Sequence, residues 1–277
     1  MRAKSLEAVL LVTPALLFLI VWFVAPLARL FSLAFTGDPA TPAPFSELIA
    51  SDVYRHVFLR TLWIAALVTL ITLLLSYPVA VLLSRLRGLW FFLALYGVLF
   101  PLWISVLVRT FSWMLLLERN GPVNRMLGVL GITDHPLPLL FNDAGVLIGM
   151  VHVMVPYAVL PLYAAIIRID RRLLLASDGL GASPLFTFRQ VYLPLSMPGI
   201  AAAAAFVFLL SLGFFVTPAL LGGSNAMTAP MLIAGFVSDR LAWSLAAAAS
   251  LILLVAVLGL LWFASRLARL PQGIIVR

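Results

Sequence analysis

The fold class predicted by this sequence is an all-α integral membrane protein of about six transmembrane helices, and three observations predict it. Of the 277 residues 64% are hydrophobic and only 10% are charged, with a mean hydropathy of +1.16, far outside the range of soluble domains. Six apolar runs each approach the roughly 20 residues that a helix needs to cross the hydrocarbon core. Basic residues collect in alternate connections between those runs, as a fixed orientation in a bilayer requires.

The first run covers about residues 8–31 and follows Arg2 and Lys4. A basic start before an apolar run also describes a secretory signal peptide. This run outlasts the usual h-region and lacks a clear small-residue cleavage site before Arg29, so it reads as a retained span. Asp38-Pro39-Ala40-Thr41-Pro42-Ala43-Pro44 is turn-rich and marks an exposed loop on the far side. The second run, 62–84, ends at the basic turn of Arg85 and Arg87, and the third covers 89–108. Pro78 and Pro101 fall inside these spans, where neighbouring helices satisfy the backbone groups they free.

From Arg109 to Asp143 the chain is expected outside the bilayer. Asn120-Gly121-Pro122 starts, and Gly131 stops, a short amphipathic helix carrying Val123, Met126, Leu127 and Leu130. A fourth run, 144–167, enters a basic segment, 168–194, and a fifth, 198–221, passes through Ala201 to Ala205. Small residues let helix backbones approach closely, so that stretch is expected to face another helix. Gly222-Gly223-Ser224-Asn225 breaks the pattern, Pro230 to Val237 reads as a short outer or re-entrant helix, and the sixth run covers 241–263. Residues 1–277 thus read as one transmembrane domain with both termini on the same side.

Charge tests that layout independently. One side holds Arg2, Lys4, Arg85, Arg87, Arg168, Arg171, Arg172, Arg189, Arg266, Arg269 and Arg277 against Glu7, Asp170 and Asp178. The other holds Arg29, Arg55, Arg60, Arg109, Arg119, Arg125 and Arg240 against Asp38, Glu47, Asp52, Glu118, Asp134, Asp143 and Asp239, so the whole net charge of +8 lies on the first side. That side, with both termini and the 168–194 segment, is the cytoplasmic one. The charge is therefore topological, and no nucleic-acid partner is implied.

The chemistry-bearing residues are few. Cys is absent, which removes disulfides, thiolate metal sites and a Cys nucleophile. His56, His135 and His152 lie on separate segments without metal-ligand spacing. His152 alone falls inside a span, where a polar side chain is functional by default unless a neighbouring helix merely hydrogen-bonds it. No Walker-type loop, Ser elbow or paired intramembrane carboxylate is present. Every Asp and Glu falls in a loop or at a span end, which argues against an ion-driven carrier. Energy has to come from another chain.

The segment 168–194 is the most informative. Leu173, Leu174, Leu175, Leu180, Leu185, Phe186 and Phe188 stand among Arg168, Arg171, Arg172 and Arg189, too apolar for a free loop and too charged for lipid. Short helices pressed against another protein fit that composition. One ends at Gly179 and Gly181, and another begins at a new angle near Ser183-Pro184.

Leu175-Ala176-Ser177-Asp178-Gly179-Leu180-Gly181, followed after nine residues by Val191-Tyr192-Leu193-Pro194, resembles the EAA loop of the membrane-spanning subunits of bacterial ABC importers. Ala176, Gly181, Leu193 and Pro194 match its pattern, Ser177 replaces the second Ala, and Leu175 stands where the family has Glu. Leu107 to Trp113, then Asn120-Gly121 with Asn124 and Leu127, is similar to the spermidine/putrescine-type permeases. So are Val155-Pro156-Tyr157, Leu160 to Tyr163, Arg168-Ile169-Asp170 and Phe188 to Gly199. The resemblance extends over most of the chain.

The resemblance implies the type I importer permease fold with a cytoplasmic coupling-helix loop between spans 4 and 5. It implies a non-catalytic subunit in the inner membrane, with ATP and Mg²⁺ on separate ATPase subunits, two of them, and no cofactor on this chain. A second, different permease subunit and a periplasmic or extracellular solute-binding protein complete the system. The coupling residues it implies are Leu175, Ala176, Ser177, Asp178, Gly181, Ala182, Leu193 and Pro194, with Leu193-Pro194 rigidifying the return to the fifth span. Asp178, one helical turn beyond Leu175, is expected to replace part of the missing charge.

Arg109, Trp113, His152, Tyr157 and Phe214 are the pathway candidates. Polyamine is the expected solute by resemblance. The residues alone leave other solutes open, a zwitterion, an organic anion or a phosphonate, since no mid-span acid is present and Arg109, expected near the outer mouth, repels a polycation. A stand-alone secondary transporter is the rival class.

Overall fold

The computed structural model describes residues 12–37 and 43–269, with side chains as far as Trp262. Arg2, Lys4, Glu7, most of the 38–44 loop and Arg277 lie outside the described residues, as do the side chains of Arg266 and Arg269. The regular elements described are all helical: α1 Val12–Thr36, α2 Pro44–Ala50, α3 Asp52–Arg85, α4 Gly88–Leu99, α5 Val106–Leu117, α6 Pro122–Val129, α7 Asp143–Ile166, α8 Arg171–Gly179, α9 Pro184–Leu212, α10 Ala229–Ser238 and α11 Trp243–Arg269. Five of these, α1, α3, α7, α9 and α11, are long and apolar enough to cross a membrane. Two bent pairs raise the number to as many as 7, one joining Gly88–Trp103 to Val106–Val129 at 98°, the other Pro218–Ala226 to Ala229–Ser238 at 86°. Six spans fall within that range.

Two expected spans differ in shape from the sequence reading. The run 89–108 is not one straight helix: α4 stops at Leu99, a 3-10 turn covers Phe100–Trp103, and α5 restarts at Val106. Pro101 has no N–H to give, and its ring opposes the carbonyl four residues back. The stretch from Arg109 to Leu117, expected outside the bilayer, is therefore helix, and Arg109, Thr110 and Leu117 are buried in it. The run 198–221 also shifts: α9 begins at Pro184 and ends at Leu212, before Gly213. Within it Phe188–Tyr192 is a π-turn in which the Leu193 N–H donates to the Phe188 carbonyl, five residues back. The widened turn gives Pro194 room inside a continuous helix. Leu193-Pro194 is accordingly helix interior, not a separate return segment.

The described residues gather into two compact units, one comprising those up to His56 with Leu232–Ala256, the other Val57–Met231 with the described residues from Val257 on. In the first, Phe35 and Phe45 lie 5.4 Å apart, Tyr54 meets Phe236 edge-on at 5.4 Å, and Arg240 donates to the Tyr54 hydroxyl at 3.0 Å. The second is built on α7. Val146, Met150, Val153, Met154, Ala158, Val159 and Leu162 form its spine, against which Val68, Ala80 and Leu83 of α3 and Ala203 and Val207 of α9 are packed.

Lipid tails are as apolar as Leu, so such helices associate through close packing and hydrogen bonds rather than by escaping water. Small residues provide the approach. A Cβ on Gly199 would collide with Ala165, and one on Gly149 would lie 2.7 Å from Thr217 Cγ2. Of the alanine stretch, Ala203 is buried while Ala201 and Ala202 are exposed, so one face packs within this chain.

Candidate functional site

The predicted helix-turn-helix forms as expected. Asp170 caps α8, its Oδ1 accepting from the Arg172 N–H at 2.9 Å. The chain then turns at Gly181, whose φ of +78° suits a residue without Cβ. Ser183 starts α9, its hydroxyl accepting from the Phe186 N–H at 3.3 Å, with Pro184 in the first turn. The Ala182 N–H returns to the Ser177 carbonyl at 3.2 Å and closes the turn.

Ser177 has a role that the motif comparison did not reveal. Its hydroxyl lies 2.8 Å from that of Thr187, both buried, and links α8 to α9 across the turn. An Ala here has no such link. Arg171 donates to the Ser84 carbonyl at 3.5 Å, at the end of α3, and the Tyr77 hydroxyl sits 2.9 Å from Ser196 Oγ. Tyr77 also meets Phe188 edge-on at 6.1 Å. The base of the knob is thus tied to α3 by backbone, hydroxyl and ring contacts.

Its tip is bare. Leu175 is 68% exposed, Leu180 88%, Leu185 75% and Phe186 56%, with Ala176 and Asp178 exposed beside them. A contiguous apolar tip flanked by Arg168, Arg171, Arg172 and Arg189 is a surface that fits a protein partner. The Asp178 carboxylate lies one turn from Leu175 on this exposed side.

Of the pathway candidates, Trp113 and His152 meet. Trp113 Nε1 donates to His152 Nδ1 at 3.1 Å, with the rings edge-on at 5.7 Å, so neutral His152 keeps its proton on Nε2. Tyr157, on the same helix as His152, meets Phe206 at 5.9 Å, and Phe214 packs against the core around α7. Arg109 is 6% exposed, and its Nε and Nη1 are buried without a hydrogen-bond partner. Next to it in sequence, the Thr110 hydroxyl lies 3.1 Å from that of Thr217 and donates to the Val106 carbonyl at 2.8 Å. Sequence reading missed the Thr110–Thr217 pair because it joins segments 107 residues apart.

Asn124 is buried where α6 was read as a plain amphipathic helix. Its Nδ2 donates to the Glu118 and Leu137 carbonyls at 3.2 and 3.0 Å, and its Oδ1 accepts from the Leu137 N–H at 2.9 Å. Met126 and Leu130, on the apolar stripe of that amphipathic helix, are 64% and 59% exposed.

These apolar helices have the fold of ABC importer permeases. Over 98% of its length the chain is similar to 97% of a chain in the crystal structure of a bacterial ABC transporter involved in the import of the acidic polysaccharide alginate, with a TM-score of 0.81 at 19% identity. The chain belongs to the family of binding-protein-dependent transport system inner membrane components, whose pattern matches residues 48–270. It is similar to the spermidine/putrescine transport system permease protein PotB of Escherichia coli strain K12, at 36% identity over 79% of this chain and 81% of that one. It is also similar to the inner membrane ABC transporter permease protein YdcU of the same organism, at 33% identity over 77% and 74%. The protein is a non-catalytic, multi-pass inner-membrane permease subunit of a binding-protein-dependent ABC importer.

Proposed function

We propose that this subunit forms half of the membrane pathway for a polyamine such as spermidine or putrescine, handed over by a solute-binding protein on the outer face. A second, different permease subunit completes the pathway, and two ATPase subunits carrying ATP and Mg²⁺ drive it from the cytoplasm. The observation that carries this reading is the knob at 171–187: a rigidly capped turn whose base is fastened to α3 and whose leucine tip is uncovered. Leu175, Ala176, Ser177, Asp178, Gly181 and Ala182 seat it in a cleft of the ATPase, by apolar packing where the family has a Glu, with Asp178 offering the carboxylate. Leu193 and Pro194 act from within α9, which continues from the knob as one helix and conveys its displacement inward.

The first bent pair is taken as a span and the second as re-entrant, so that with the five long helices the chain crosses six times, both termini inside. The solute follows the names of the relatives at 36 and 33% identity only in part, since the second carries none. Trp113, Tyr157 and Phe214 supply aromatic faces along the path, each worth about 0.5–2 kcal/mol to a passing ammonium. His152 is held neutral-compatible by Trp113. The acids a polycation needs come from the other permease.

The test is purification of the tagged chain from its native membrane, wild type beside Gly181→Asp, followed by reconstitution. An ATPase and a second permease accompany the wild type, the ATPase is lost from the variant, and the wild-type assembly takes up labelled putrescine only with ATP. Uptake by the chain alone without ATP would overturn the reading.

A further inference from the structure

At the end of α7 opposite the knob, the structure holds a cavity of about 660 Å³. One wall is the end of α5, with Met114, Leu117, Glu118 and Arg119, and the other is the connection into α7, with Leu137, Leu139 and Phe141. Asn124, itself 6% exposed, ties the two walls together. Its Nδ2 donates to the Glu118 carbonyl on one and the Leu137 carbonyl on the other, and its Oδ1 accepts from the Leu137 N–H. Gly121 lets the chain close beside it, since a Cβ there would lie 2.7 Å from the Leu115 and Leu116 carbonyls. Asn142, the cap of α7, also donates to the Pro138 carbonyl.

The second wall ends at Phe141, which is fastened to the turn at 218–226. Its N–H donates to the Leu221 carbonyl at 2.7 Å, and its carbonyl accepts from Asn225 Nδ2 at 3.4 Å. Phe141 has a φ of +61°, a left-handed conformation that costs a bulky residue energy and persists only where its surroundings enforce it. Its ring lies against Gly223, where a Cβ would sit 3.3 Å from Phe141 Cδ1. The same turn reaches the membrane helices: Leu221 and Thr217 lie against Gly149 of α7, and the Thr217 hydroxyl meets that of Thr110 on α5.

Lining and rim together decide what the cavity takes. The 136–141 wall is irregular backbone, which lipid tails do not cover. The interior is mostly apolar, so water is a poor occupant. At the rim Glu118 and Arg119 are exposed, and among the described residues neither takes part in an ion pair. A small polycation would meet Arg119 there, and a small anion Glu118. An apolar side chain ringed by charges of both signs, as a protein surface presents, matches both. The family is binding-protein-dependent, so a protein has to meet the permeases on the outer face.

We propose that this cavity seats an apolar side chain of the solute-binding protein, with Glu118 and Arg119 paired to charges around it, and that Phe141 passes the docking on to the 218–226 turn. The proposal rests on the importer reading and orientation given above. Docking outside then bears directly on α5 and α7, the helices that carry Trp113 and His152.

The experiment uses the whole importer in lipid vesicles and, as probe, the purified solute-binding protein that supports its uptake. Because the chain has no Cys, Leu137→Cys carries a benzophenone maleimide at the cavity alone. Illumination is expected to join this chain to the binding protein, identified by mass. An adduct with the second permease or with lipid, or no adduct, overturns the docking. Glu118→Arg, and Arg119→Glu as a second variant should the first fail to assemble, are each expected to raise the Kd of the binding protein by roughly tenfold. An unchanged Kd in the assembled variants overturns the docking as well. Phe141→Gly keeps the backbone angle and removes the ring. It is expected to leave the Kd within about twofold and to lower uptake at saturating binding protein by about fivefold or more. Full uptake, or a loss that the Kd explains, overturns the role of Phe141. Crosslink and Kd need neither putrescine nor ATP, so a different solute sinks the polyamine reading alone, and putrescine uptake without the Leu137→Cys adduct sinks this proposal alone.

Discussion

At the scale of single residues, the departures from the family pattern are where the physics is most specific. Ser177 stands where the motif has Ala, and its hydroxyl meets that of Thr187 at 2.8 Å in a buried position. Removing one partner leaves the other hydroxyl buried and unsatisfied, which costs about 1–3 kcal/mol, whereas removing both leaves nothing stranded. Ser177→Ala and Thr187→Ala are each expected to lower the stability of the knob by about 1–2 kcal/mol, and the double variant by less than the sum. Thermal melting of the four proteins measures this, and additive losses would show that the two hydroxyls do not interact. Ser177 was legible only as a substitution. Its partner lies ten residues on, and only the turn at Gly181 and the restart at Ser183 bring the two together. The exposure of Leu175, by contrast, was legible: an apolar residue in a basic segment outside the spans falls at the surface, and it is 68% exposed.

At the scale of elements, hydropathy located the helices and missed their breaks. The run 144–167 coincides with α7, Asp143–Ile166, because Asn142 supplies a cap, accepting from the Gly145 N–H at 3.1 Å, and the apolar run ends where the helix does. The run 89–108 hides a 98° bend at the break between Trp103 and Val106, because Phe100 to Val108 is as apolar as the helix before it and hydropathy carries no sign of the break. Pro156 and Pro161 stand within α7 without a break, since that helix is packed on several sides and 61% of its most apolar stretch is buried. The crossing of α7 and α9 is what ties the knob to the membrane core, and Gly199 sets its closeness: a Cβ there would meet Ala165 and lie 3.4 Å from the Pro161 carbonyl. Gly199→Leu is expected to force the helices apart at a cost of about 1–3 kcal/mol. The knob itself is untouched by this change. ATPase co-purification is therefore expected to persist while ATP-driven uptake falls, and equal loss of both would show that α9 does not act as the connecting rod.

At the scale of the whole molecule, orientation follows from charge and can be read chemically, because the chain contains no Cys. Basic residues concentrate on the side that carries the 168–194 segment, and such an excess fixes the cytoplasmic face of a membrane protein. Leu180 is the most informative place for a single probe, since it is 88% exposed at the tip of the knob and its neighbour Gly181 already makes the turn. His135, exposed in the connection before α7, serves as the opposite marker. A membrane-impermeant maleimide is expected to label Leu180→Cys in inside-out vesicles and His135→Cys in right-side-out cells, each with little reaction from the other face. Co-expression of the ATPase is expected to protect Leu180→Cys and leave His135→Cys unchanged, because docking covers the leucine tip and nothing on the outer face. Labelling of Leu180→Cys from outside would invert the topology and remove the knob from the reach of any cytoplasmic ATPase. Labelling from inside without protection would keep the topology and place the docking contact elsewhere on the chain.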